Sequence, residues 1–185
     1  MDLDEFEREA ATLARAHGGE PTVLNQAPRP GRQVRGVIVG FGKKVEPVSL
    51  LVSPEGWLLP FWAIEDVEIR PLPKAPWVSV KTQYGPEEAH VAIADLLLEV
   101  KRRWVPELLV HDEGEYWDTR DLRILRAARD RLSEAMGLLA AAMDEEGLLA
   151  EDDDTDLPTV EKRVKSAAAK VHSALAKPRK KRRLH

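Results

Sequence analysis

One eight-residue stretch concentrates chemistry-bearing side chains: His111-Asp112-Glu113-Gly114-Glu115-Tyr116-Trp117-Asp118. Carboxylates beside aromatic rings can be pushed toward the pKa range of general acids and bases. His111, Asp112 and Glu113 together are also a donor set for a divalent cation. The plainer alternative is architectural, and the composition favours it. Acids ahead of a helix are attracted to the positive end of its dipole, and Tyr116 and Trp117 then plug the loop onto the core.

A second group lies upstream. His90 falls on the apolar side of a helical pattern, and Lys81-Thr82-Gln83-Tyr84-Gly85 precedes it. Thr82, His90 and Lys81 are of the right types for a nucleophile, a base and an oxyanion donor. Their spacing matches no catalytic motif, and a histidine on such a face is ordinarily a satisfied core residue. Glu46 follows the basic pair Lys43-Lys44. It gains meaning only if folding brings it to His90 and the acids at 112–115, as a carboxylate–histidine cluster of metal-ligand type. Gly36 to Gly42 lacks the order of a dinucleotide or Walker loop, so nucleotide binding is rejected. No cofactor is expected.

These groups need elements to position them. Residues 3–17 read as one helix stopped by Gly18-Gly19, since glycine suits the left-handed position after a helix. Residues 25–31 (NQAPRPG) read as an irregular linker. Short runs rich in aliphatic and β-branched residues follow at 34–40, 48–53, 57–62 and 67–70, with a hairpin signal at Ser53-Pro54-Glu55-Gly56. Residues 77–81 alternate as one more strand, and 108–111 as a short one. Residues 86–104 carry His90, Ile93, Leu97, Val100 and Trp104 at steps of three and four, one face of a helix. A second helix, capped by Asp118 or Thr119 and running to Met143, carries Leu122, Leu125, Leu132, Met136, Leu139 and Met143. Strands close in sequence followed by helices predict an α+β fold: a small antiparallel sheet with these two helices on one face. The expected organisation is an N-terminal helix and linker over 1–31, a core over 32–143, and an acidic linker, marginal helix and basic tail over 144–185. Of five tryptophans, Trp57 and Trp62 break strict alternation, so one of them is expected at the surface as a binding anchor.

Bulk properties narrow the classes. The chain has 185 residues, a net charge of −4 and no cysteine. Disulfides, thiolate metal sites and cysteine nucleophiles are therefore excluded, and the balance does not suit a protein that coats nucleic acid with its whole surface. The acidic N-terminal segment does not read as a signal peptide, and no apolar run is long enough to span a bilayer. A cytoplasmic location is expected. Charge is segregated at the C-terminal end: residues 144–156 hold eight acids and no base, and residues 157–185 hold ten bases and one acid. Lys177, Arg179, Lys180, Lys181, Arg182 and Arg183 form a bare basic run that can bind nucleic acid or another polyanion in a salt-sensitive way, sit on an anionic membrane surface, or be neutralised by the adjacent acids.

The string from Val78 to His90 (VSVKTQYGPEEAH), followed by a helix and then Asp112-Glu-Gly-Glu-Tyr-Trp-Asp118, resembles a family of uncharacterised bacterial proteins. In that family a Lys-Thr-Gln strand end, a helix opening with histidine and an Asp-Glu-Gly-x-Tyr-Trp loop recur in this order. The similarity spans roughly residues 45–132. It singles out Lys81, Thr82, Gln83, His90, Asp112, Glu113, Tyr116 and Trp117 and implies no activity. The N-terminal helix and the charged tail look like additions peculiar to this chain.

The reading that follows is a non-enzymatic interaction or accessory protein, such as an immunity protein for a larger effector. It would bind a protein partner, with the basic tail available to a polyanion. The alternative is a hydrolase-type enzyme, metal-dependent or not, using His90, Asp112, Glu113 and Glu46.

Overall fold

A computed structural model describes residues 2–29, 32–53, 56–61, 77–149 and 157–175. The chain divides into two compact units, residues 1–112 with 116–120, and residues 113–115 with 121–185.

The first unit is a sheet covered on one face by helices. Helix α1 (Leu3–Ala16) starts at Asp2, whose carboxylate accepts from the N–H groups of Asp4 and Glu5. It ends as its glycines require: Gly18 has φ 77°, the Gly18 N–H donates to Arg15 O, and the Gly19 N–H donates to Ala14 O. That reciprocal closure satisfies carbonyls the helix leaves open. Strands β1 (Glu20–Arg29), β2 (Arg32–Gly40), β3 (Val48–Val52) and β4 (Leu58–Leu59) follow, antiparallel and in sequence order. The expected hairpin joins β3 to β4, with the Gly56 N–H donating to Ser53 O and the Trp57 N–H donating to Ser53 Oγ.

Residues 25–29, expected as linker, belong to β1. That strand lies at the edge of the sheet, and an edge is where a strand tolerates proline, because one side of its backbone needs no ladder partner. Residues 77–81 keep the expected alternation of exposed and half-buried positions but carry no strand assignment, and 108–111 are irregular. Trp62 and the strand expected at 67–70 lie outside the described residues.

Alternation along β2 and β3 sets the two faces. Val37, Val39, Val48, Leu50 and Val52 pack with Phe6, Ala10, Ala11 and Ala14 of α1 and with Ala89, Ile93, Leu96 and Val100 of α2 (Glu87–Arg103). Leu51, Leu59 and Val34 form a smaller cluster with Leu24 and Ile38. Phe6 and Trp104 meet edge to face at 5.2 Å, tying α1 to the end of α2. Arg35 shares the side of β2 that bears Val37 and Val39. Its guanidinium donates to Glu7 at 3.0 and 2.6 Å and also reaches Asp4. The bonds from Arg35 hold the Asp4 carboxyl below its ordinary range.

The sheet is thus covered by two helices, as expected, but they are α1 and α2. The helix expected at 119–143 falls in the second unit. A single turn, α3 (Tyr116–Thr119), comes first, and α4 (Leu122–Glu145) begins after it in the second unit, capped by Asp121. Hydrogen bonds from the Arg123 side chain and N–H pull the Asp121 carboxyl down to about 2. Helix α4 pairs with α5 (Leu157–Leu175), burying Ala142 and Ala167. Lys170 reaches Glu145 and Glu146, each at 2.8 Å, and Glu146 also accepts from Ser166 Oγ. Part of the acidic run is therefore neutralised by the basic segment beside it. Lys177, Arg179 and the rest of the basic run lie outside the described residues.

Gly36 carries a strict requirement. Its φ is 137°, and a Cβ built there would lie 2.2 Å from the carbonyl oxygen of Leu50, where β2 and β3 meet. Gly36→Ala should cost more than about 2 kcal/mol in a urea melt, because backbone strain and a clash with backbone add. Gly42→Ala, at φ 92° in open space, should show the strain alone, about 1–2 kcal/mol.

Candidate functional site

The entrance of α2 is built from a turn and a loop fitted together. Residues 82–85 close on a bond from the Gly85 N–H to Thr82 O at 3.0 Å. A Cβ on Gly85 would lie 2.2 Å from Val45 Cγ2, so the missing side chain lets the turn seat against the 43–46 loop. Two backbone-directed bonds lock that seating. The Glu46 N–H donates to Lys81 O at 3.1 Å, and the Lys81 N–H donates to Glu46 Oε2 at 3.0 Å. The Lys81 ammonium meets Glu46 Oε1 at 3.2 Å. Pro86 stands as the N-cap of α2 in extended geometry, and Glu87 and Glu88 occupy the first turn, where the dipole favours acids.

His90 follows one turn in. From His90 to Trp104 the helix climbs about 21 Å, and the eight residues from Trp104 to Asp112, if extended, reach back about 27 Å. The return path starts with bonds from the Val105 N–H to Val100 O and from the Leu108 N–H to Val105 O, and the Lys101 ammonium donates to Leu108 O. Asp112 is thereby delivered to the opposite end of the helix from the point where the chain left it.

There the three segments meet. Thr82 Oγ1 is 2.7 Å from His90 Nδ1, and His90 Nε2 is 3.2 Å from Asp112 Oδ2. Asp112 Oδ2 also accepts the Trp117 N–H at 2.8 Å. The side chains of His90 and Asp112 are 13% and 10% exposed. An ionised carboxylate has only lone pairs to offer, so His90 Nε2 carries the hydrogen in this arrangement. In the neutral ring Nδ1 is then the acceptor and the Thr82 hydroxyl its donor. The order is hydroxyl, imidazole, carboxylate.

A flanking clamp holds the acidic-aromatic turn. Tyr116 is buried with its ring 6.2 Å from that of His90, edge to face. Arg120 lies 5.3 Å from the Tyr116 ring and 5.5 Å from the Trp117 ring, and it donates to Asp95 of α2 at 2.7 Å. Arg120 has φ 55° and Glu115 φ 59°, so α3 is bounded by left-handed residues at both ends.

The residues singled out by sequence divide accordingly. Thr82, His90, Asp112, Tyr116 and the Trp117 backbone come together. Lys81 and Glu46 bind each other at the neighbouring turn, and Glu46 is committed to Lys81 rather than to a carboxylate–histidine cluster. Gln83 is half-buried in the 82–85 turn; His111 and Glu113 are exposed, and Glu113 falls in the second unit. Among the described residues no group of three or more histidine, aspartate and glutamate side chains forms a metal-binding cluster. The sequence reading passed over Arg120 and Asp95. Asp95 offered one faint signal, an acid among apolar positions on α2, but nothing in the spacing named its partner 25 residues away. No family model, curated protein or solved structure matches the chain.

Thr82→Val keeps the shape and removes the hydroxyl donor, leaving Nδ1 unpaired in a nearly closed site. A loss of about 1–3 kcal/mol is expected for it, and a similar loss for Asp112→Asn. Because both act on one imidazole, the double variant should be less destabilised than the sum, by at least about 0.5 kcal/mol, in urea melts.

Proposed function

We propose that the chain is a cytoplasmic, non-enzymatic interaction protein, and that the segment leading into α2 is its recognition surface for a protein partner. The observation that carries this reading is the exposure of large aromatic side chains around a clamped backbone. Trp77 is 76% exposed and Tyr84 60%, at the two ends of the segment held by the Lys81–Glu46 and Thr82–His90–Asp112 bonds. Trp57 and Phe61, on either side of β4, are also exposed. Rigid aromatics on a fixed backbone lose little entropy when covered, which is why such residues anchor interfaces. The polar web serves as the mount. The Lys81 N–H and ammonium, next in the chain to Thr82, are engaged by Glu46 and so are not free to serve as oxyanion donors, which weighs against catalysis. The basic run from Lys177 to Arg183 would add electrostatic attraction to a partner or a polyanion.

Capture experiments with the full chain, Trp77→Ala/Tyr84→Ala, and a chain lacking residues 177–185 test this at two salt concentrations. The expected result is a protein bound by the full chain and lost with the aromatic pair, its affinity reproduced with the purified partner and falling at least about tenfold. Retention of every bound protein by the aromatic variant would remove the surface from the function. Unchanged binding by the truncated chain at both salts would remove the tail.

A second reading rests on the Thr82 hydroxyl facing His90 Nδ1 at 2.7 Å. This is the arrangement of a hydroxyl nucleophile, its base and an orienting carboxylate, and it supports a hydrolase that uses an acyl-enzyme at Thr82. Incubation with an activated ester or a β-lactone should then give a mass increase localised to Thr82 and abolished by His90→Ala in a chain that remains folded. An unmodified Thr82 would eliminate this reading and leave the first intact.

A further inference from the structure

We propose that Arg163, Ser166 and Lys170 of α5 form a phosphate-binding face for nucleic acid, and that Glu145 and Glu146 at the end of α4 occupy it in the free chain. This site rests on the polyanion role given above to the basic segment and is separate from the aromatic surface.

The three residues stand at steps of three and four, so they share one face of α5. They hold an anion that belongs to the chain itself. Ser166 Oγ donates to Glu146 Oε1, and Lys170 Nζ meets the same oxygen, both at 2.8 Å. Lys170 Nζ also meets Glu145 Oε2 at 2.8 Å. Arg163 Nη1 lies 3.7 Å from the point that a Cβ of Gly147 would take, next in the chain to Glu146. Bonds from Lys170 and Ser166, helped by the charge of Arg163, keep the Glu146 carboxyl below its ordinary range. An ammonium and a hydroxyl on one carboxylate, with a guanidinium beside them, are also the donors that take the anionic oxygens of a phosphodiester.

The carboxylates stand where their own helix disfavours them. Glu145 is the last residue of α4, Glu146 is its C-cap, and the last turn carries no base. The dipole is negative at this end and repels acids, so their compensation comes from α5. The contact is open to competition. The Lys170 and Glu145 side chains are 44% and 65% exposed, and exposed pairs hold weakly.

The position of the face favours a long polyanion as the competitor. The bare basic run starts at Lys177, two residues past the end of α5. A nucleic-acid backbone can engage the run and the face together, which a single small anion cannot. A lipid surface is less suited. Helices that lie in a bilayer interface bring large apolar and aromatic side chains on one face, whereas the apolar residues of α5 are valines, alanines and a leucine at each end, with no aromatic.

Binding of a short mixed-sequence DNA duplex to the full chain tests this, at about 0.1 M salt, where distant exposed charges are screened. Glu145→Gln with Glu146→Gln should tighten binding about fivefold, the scale on which exposed pairs compete. Glu88→Gln with Glu107→Gln removes the same charge from exposed positions of the first unit and should change it by less than about twofold. Adding Arg163→Gln and Lys170→Gln to the first variant should abolish the gain and make the salt dependence shallower by about two in its logarithmic slope. Hydrogen exchange in the unaltered chain is a second readout. The duplex should slow exchange at residues 163–170 and speed it at 142–146, whose acids lose their partners. A glutamine pair that binds no tighter than the control pair would overturn the proposal, as would unchanged exchange at 142–146. A gain seen with phosphatidylserine vesicles but not with the duplex would overturn it in favour of a membrane surface. Absence of duplex binding by the full chain would also overturn it, while leaving the Trp77 and Tyr84 surface standing. If the glutamine pair alters the circular dichroism of the chain, the exchange pattern decides alone.

Discussion

The sheet unit depends on how one buried carboxylate is satisfied. Glu7 faces the sheet from α1 and is almost fully covered, and a charge in that position is tolerated only with a partner of matching geometry. Arg35 supplies it with two parallel bonds and spans to Asp4 as well. The same pairing chooses which helix covers β2. With α1 locked over Val37 and Val39, its alanines at 10, 11 and 14 allow a close approach, and Phe6 closes the end against Trp104. Helix α2 takes the rest of the face, and α4 is built into the other unit with α5.

Placing α2 in this way accounts for the polar web at its start. The helix has to end near Phe6, and the chain must then return along its length, so the residues after the return arrive at the first turn of the helix. Asp112 is the carboxylate delivered there, and its one oxygen serves both the imidazole of His90 and the N–H that opens α3. The Thr82 hydroxyl completes the series from the other side. A local turn, a long helix and a loop are fixed to one another by four heteroatoms. The exposed Trp77 and Tyr84 project from a backbone held at Lys81 and Thr82. Whether the web serves as a mount or as a nucleophile's support, its geometry follows from that return path.

The helical pair of the second unit obeys a different balance. Ala142 of α4 and Ala167 of α5 are buried, and a small ion-pair network joins the two helices, in which Lys170 is raised and Glu146 lowered, each chiefly by hydrogen bonds to the other helix. Glu146 ends α4, and the helix closes through Gly147 at φ 67°. Among the larger apolar residues of α4, Leu125 is buried, whereas Leu132, Met136 and Leu139 are exposed.

Much of this was legible in the residues taken in order. Helix boundaries at Gly18 and Pro86, the turn at Ser53 to Gly56 and the α+β class all rest on short-range signals: a left-handed glycine, a fixed proline φ and a change of hydrophobic period. Three things were decided only in three dimensions. The prolines of 25–29 suggested a linker, but an edge position in the sheet accommodates them. The stripe on α4 suggested a cover for the sheet, but α4 belongs to the second unit, and within the first unit α1, whose Glu7 pairs with Arg35, covers β2. Glu46 was a free carboxylate in sequence and became the partner of Lys81 through the seating of Gly85 on Val45. Each reversal has the same physical origin. Local sequence specifies which surface an element must cover, whereas competition among elements for that surface is settled by long-range charge pairing and close packing, which no window of neighbouring residues contains.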